Sequence, residues 1–95
     1  MPFQKKIVLH LPSGYVPHLE RTVAQFIKDG VRCVVVVGKD CHRVEDIIDD
    51  LAVGAATRRF ILTSLHPGET LEQAIKVAHS LTGDYAGDAQ IVELG

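Results

Sequence analysis

The chain has little of what most readily betrays a function. Its longest apolar run, Cys33 to Val37, falls far short of the ~20 residues a membrane-spanning helix needs. Basic charge is not in excess: ten Lys and Arg stand against twelve Asp and Glu, for a net charge of -2, scattered as Lys5/Lys6, Arg58/Arg59 and singles. A nucleic-acid surface needs a basic patch or stripe, so none is expected. Cysteine is limited to Cys33 and Cys41. With the strand between them extended at about 3.3 Å per residue they fall roughly 20 Å apart, against the ~7 Å limit between bridged Cα atoms. Two free thiols in a reducing compartment follow. The sequence also holds no C-x-x-C, no G-x-G-x-x-G and no G-x-x-x-x-G-K-[ST], which argues against a dithiol redox centre and against an ordinary dinucleotide or ATP enzyme. The opening Met1-Pro2-Phe3-Gln4-Lys5-Lys6 leads straight into a strand-like run without a small-residue cleavage site, so a cytoplasmic protein is the expectation.

What is present is a regular alternation. Ninety-five residues, 46% of them hydrophobic and 23% charged, form one globular domain over 1–95 with room for one core. No linker, repeat or low-complexity stretch interrupts it. Ile7 to Leu11 reads as a first strand, ended by the breakers Pro12-Ser13-Gly14. Leu19, Val23, Phe26 and Ile27 recur at helical spacing after Pro17, and Gly30 supplies a stop. The second strand, Val31 to Val37, is apolar on both faces, which suits a parallel strand covered by helices on both sides. Asp40 is placed to cap a second helix in which Val44, Ile47, Ile48, Leu51 and Ala52 form one stripe while Glu45, Asp46, Asp49 and Asp50 face water. Gly54 closes it, and Arg58-Arg59 precede a third strand, Phe60 to Leu65. Thr70 and Gln73 have the spacing of a capping box for a third helix that buries Leu71, Ala74, Ile75, Ala78 and Leu81. After a polar loop, Thr82 to Ala89, residues 90–94 form a last strand with Glu93 inside it, hence an edge.

The pattern βαβαβαβ predicts a three-layer α/β/α domain, Rossmann-like or flavodoxin-like, with four parallel strands and three helices. The expected strand order is 2-1-3-4, with 3-2-1-4 as the alternative. In such sheets ligands bind outside the carboxyl ends of the strands. The βα turns gather His10, Ser13, Asp40, Cys41, His42, Thr63, Ser64, His66 and Glu69 there. Several of these have a plain structural use as caps and turns: Asp40 and Ser64 could cap helices, and Ser13 fits a turn. Cys41 stands out, because a cysteine in the first turn of a helix sits at the positive end of the macrodipole, which lowers a thiol's pKa. With His66 as base it would be a nucleophile. Cys41, His10, His66 and Asp40 are each legitimate zinc ligands, but their spacing follows no known zinc pattern, and no metal or cofactor is assigned. A helix N-terminus also attracts anions, but His66-Pro67-Gly68-Glu69 resembles no phosphate loop and Glu69 would repel one.

Gly38, Asp40 and Cys41, followed by Thr63, His66, Glu69, Leu71 and Glu72, resemble a family of short uncharacterised bacterial proteins. In that family an apolar strand ends in G-x-D-C and a later one in T-x-W-H-x-x-E-x-L-E. The likeness covers roughly residues 30–80 and departs where the family carries aromatics, at Val37 and Leu65. It implies a Rossmann-like fold and no established activity. The expectation is therefore a small-ligand binding or regulatory module, with two alternatives. One is an enzyme using Cys41 and His66, and the other is a module that forms a homodimer through its edge strand at 90–94.

Overall fold

The computed structural model describes residues 3–54, 61–81 and 87–94. Strands and helices alternate as β1 (Lys6–Leu11), α1 (Leu19–Asp29), β2 (Cys33–Gly38), α2 (Cys41–Gly54), β3 (Leu62–Pro67), α3 (Leu71–Ser80) and β4 (Gln90–Glu93). The predicted start of the third strand at Phe60, the preceding Arg58-Arg59 and residues 82–86 of the last loop lie outside the described residues.

All four strands are parallel, in the order β3-β2-β1-β4. The expected order 2-1-3-4 is thus corrected to the alternative, 3-2-1-4. The reason lies in β2. Cys33 to Val37 are all at most 1% exposed, and only an interior strand with helices on both faces can bury every side chain of such a run. The order 2-1-3-4 would have left it at an edge. β3 is the strand that can afford that position, since Thr63, Ser64 and His66 are polar and only partly buried.

Alternate residues of the strands build two cores, one on each face, where length alone suggested one. Ile7, Leu9, Leu11, Val34 and Val36 face Leu19, Val23 and Phe26 of α1 and Val44 and Ile48 of α2. Val8, Cys33, Val35 and Val37 face Ala74 and Ala78 of α3. At about 1.5 kcal/mol or more per fully buried valine, these layers supply most of the driving force. α1 ends as its sequence demands: Gly30 adopts φ 82, and the N–H groups of Gly30 and Val31 bond to Ile27 and Phe26 carbonyls, a left-handed cap open to glycine at little strain. α3 begins with the predicted capping box, Thr70 accepting from the Gln73 N–H and the Gln73 side chain from the Thr70 N–H. Its other end holds a surprise. Lys6, only 4% exposed, donates from Nζ to the Ala78 carbonyl at 2.6 Å, placing a cation at the negative end of the helix. Among the described residues no helix is long and apolar enough to cross a membrane.

Candidate functional site

At the carboxyl edge, the turns after β1 and β2 are knitted together. The Leu11 carbonyl accepts from both Gly14 N and Lys39 N at 3.1 Å. Gly38, at φ 119, lies so close that an added Cβ would fall on that carbonyl oxygen. Asp40, also at positive φ (60), turns its carboxylate to accept from Tyr15 N at 3.0 Å and so locks the first loop to the second; it serves this loop rather than as the expected side-chain cap of α2. The Tyr15 hydroxyl donates to Glu20 at 2.6 Å, a bond that holds the phenol above its ordinary range, and Arg43 stacks over the ring at 3.9 Å. Tyr15, Glu20 and Arg43 were not foreseen. The one sequence signal for them was an aromatic directly after the Ser13-Gly14 breaker.

Cys41 lies under this knot. Its Sγ donates to the Gly38 carbonyl at 3.3 Å and the Val36 carbonyl at 3.8 Å, it is 2% exposed, and it belongs to the core shared with α1 and α2. Burial pushes the thiol up, against the opposing pull of the His66 backbone N–H. The His66 side chain is elsewhere: His66 pairs in register with Val37, which faces α3. Thiol and imidazole therefore sit on opposite faces of the sheet, and the expected Cys41–His66 contact is not made between side chains. Thr63 is on the Cys41 side as well, its Oγ1 donating to Glu45 of α2 at 3.1 Å. Glu45, expected to face water, is half-buried by this link. Ser13 and His42 are exposed.

The α3 face holds a different set. His66-Pro67-Gly68-Glu69 is a type II turn, with proline second, glycine third at φ 76 and the Glu69 N–H bonded to the His66 carbonyl at 3.3 Å. Such a turn brings its first and fourth side chains together. His66 Nδ1 meets Glu69 Oε2 at 2.6 Å, and Ser64, two residues back and so on the same face, meets Nε2 at 2.8 Å. The carboxylate can only accept, so it fixes the proton on Nδ1; in the neutral ring Nε2 is then an acceptor and the Ser64 hydroxyl donates to it.

His10 stands on the same row of the sheet, paired with Val37 on one side and Glu93 on the other. The two imidazoles lie two strands apart, about 10 Å by sheet spacing, and Val37 between them is fully buried. They form two positions rather than one pocket. His10 Nδ1 is buried without a hydrogen-bond partner, with Glu93 Oε1 3.7 Å away. Ile91, half exposed, pairs with Val8 and so shares this face. Among the described residues, no three of His, Cys, Asp and Glu are close enough to hold a metal ion.

No curated protein and no solved structure matches the chain. A family model described as a domain of unknown function (DUF7684) does, over residues 3–92, which is nearly the whole alternating unit. The chain belongs to that family.

Proposed function

We propose that the protein binds a small polar molecule at the carboxyl ends of β1 and β4, with His10 as the recognising group. The observation that carries this reading is the buried His10 Nδ1 without a hydrogen-bond partner. A buried nitrogen without a hydrogen bond, with Glu93 no nearer than 3.7 Å, costs about 1–3 kcal/mol, and a ligand that bonds to it recovers that energy. The location supports the reading independently. The order 3-2-1-4 opens the Rossmann-like sheet, and its direction reverses between β1 and β4, the point where ligands of such sheets bind. Glu93, largely exposed, offers an acceptor beside the imidazole, and Ile91 an apolar wall.

The chemistry of this edge selects against phosphates. In the β1–α1 loop the N–H groups of Gly14 and Tyr15 are already bonded to Leu11 and Asp40, so these two are not offered to an anion. A neutral molecule with neighbouring hydroxyl or amide groups suits the His10–Glu93 pair. Titration of ¹⁵N-histidine-labelled protein with sugars, nucleosides and amino-acid amides tests this. One of these classes is expected to move the His10 Nδ1 resonance and to raise Tm. The rise in Tm should persist in His10→Asn, which keeps a polar atom near Nδ1, and vanish in His10→Gln, which does not. A panel that leaves the His10 resonance unmoved removes the reading.

A further inference from the structure

We infer that Ser64, His66 and Glu69 form a second and separate site, a nucleophilic serine with its base and orienting acid, able to hydrolyse a small uncharged carboxylic ester. The two contacts are the ones such chemistry requires. Ser64 Oγ lies 2.8 Å from His66 Nε2, and His66 Nδ1 lies 2.6 Å from Glu69 Oε2. The acid fixes the tautomer, so the base is presented to the hydroxyl rather than to solvent.

Access and charge stabilisation come from β3 being the last strand of the sheet. α3 packs on β1 and β2, so Ser64 and His66 remain partly accessible. Leu62 N bonds to Arg32 of the chain leading into β2. By the alternation of a parallel ladder, residues 62, 64 and 66 turn their N–H groups towards β2, while Thr63 and Leu65 turn theirs off the sheet edge. The Leu65 N–H, directly after the nucleophile, is the natural donor to a developing oxyanion. Glu69 in the relay, and a net charge of -2, disfavour anionic esters.

The step balances with water as the only co-reactant. Ser64 Oγ bonds to the carbonyl carbon as its proton passes to Nε2, and the C=O electron pair moves to oxygen. Reforming the carbonyl breaks the ester C–O bond, and the alcohol leaves with the proton from Nε2. Water then attacks the acylated serine, giving its proton to Nε2, which returns it to Oγ as the acid departs.

An alkyl fluorophosphonate tests the site directly, because it bonds to an activated serine through phosphorus with loss of fluoride. Peptide mapping of the native chain is expected to show the adduct on Ser64 and none in Ser64→Ala. General-base assistance contributes about a hundredfold or more, so His66→Gln should slow labelling by at least that factor. Glu69→Gln, which leaves the imidazole in place, should slow it by about tenfold or more. A chain with native circular dichroism whose Ser64 stays unlabelled, or labels at the same rate in His66→Gln, overturns the proposal. Should His66→Gln fail to fold, Ser64→Cys decides. An imidazole-assisted thiol reacts with iodoacetamide at pH 7 at least about tenfold faster than a simple thiol, and a slower reaction counts against the site. Failure here leaves the His10 reading standing, since neither measurement involves β4.

Discussion

The two faces of the sheet carry similar residue types at the carboxyl edge and use them differently. On the α1/α2 face, Cys41, Asp40 and Thr63 are committed to the fold: the thiol to two carbonyls, the carboxylate to the Tyr15 N–H, the hydroxyl to Glu45. On the α3 face, His10 has a buried nitrogen without a hydrogen-bond partner, and the Ser64–His66–Glu69 chain starts from a hydroxyl on an edge strand. Residue type does not separate structural from chemical use. What separates the two faces is whether the hydrogen bonds close on the backbone and neighbouring helices or end on a side chain of an outer or unbonded position, His10 Nδ1 and the Ser64 hydroxyl.

The sharpest way to break that contrast is through the thiols. Both are buried, Cys33 at 1% and Cys41 at 2% exposed, and burial raises both above the ordinary thiol range. Helix-terminus activation of Cys41, the expectation from its position alone, is outweighed by the loss of solvation. Native protein pulsed with iodoacetamide at neutral pH should modify both cysteines at least about a hundredfold more slowly than the unfolded chain, as reaction then waits on opening. Rapid labelling of Cys41 alone would show that the α1/α2 face is as chemically available as the other.

Gly38→Ala attacks the knot on that same face. It forces a Cβ onto the Leu11 carbonyl at a residue whose φ is 119, and neither the β1 nor the β2 end can yield without losing the Gly14 and Lys39 bonds to that oxygen. The expected loss is about 3 kcal/mol or more, read by urea denaturation. Gly68→Ala, at φ 76 with nothing within 4 Å of the added atom, should lose about 1 kcal/mol from the backbone alone. Equal losses would mean that close approach plays no part.

Much of this was legible locally. The capping box at Thr70 and Gln73, the left-handed stop at Gly30 and the double-sided apolar β2 follow from neighbours in the chain, and the His-Pro-Gly-Glu turn was open to the same reading. The burial of Cys41 was legible too, because it is in phase with Val44 and Ile48 on the buried stripe of α2, and that phase outranks its place at the helix start. Strand order was misplaced because the apolar pattern of β2 was used for its faces and not for its two flanks. The rest depends on distant partners. Lys6 finds the Ala78 carbonyl, and His10 meets Glu93, only once β1 lies beside β4 and under α3, which no local pattern encodes.

The smallest expected effect concerns charge on the outer side of α2. Asp49 is raised above the ordinary carboxylate range, first by partial burial and then by Glu45, Asp46 and Asp50. A carboxyl whose folded pKa is raised favours the fold fully below its unfolded pKa, and this contribution is lost as the pH climbs through the raised folded value. At neutral pH the ionised Asp49 therefore works against folding. Asp49→Asn should raise the midpoint of thermal unfolding slightly at pH 7, and the gain should shrink as the pH falls below the carboxylate range, where Asp49 is protonated in both states. Added salt should shrink it too, because exposed charges are screened. A gain independent of pH would assign the effect to packing. The two faces would then differ in hydrogen bonding alone, with the acidic flank of α2 playing no electrostatic part.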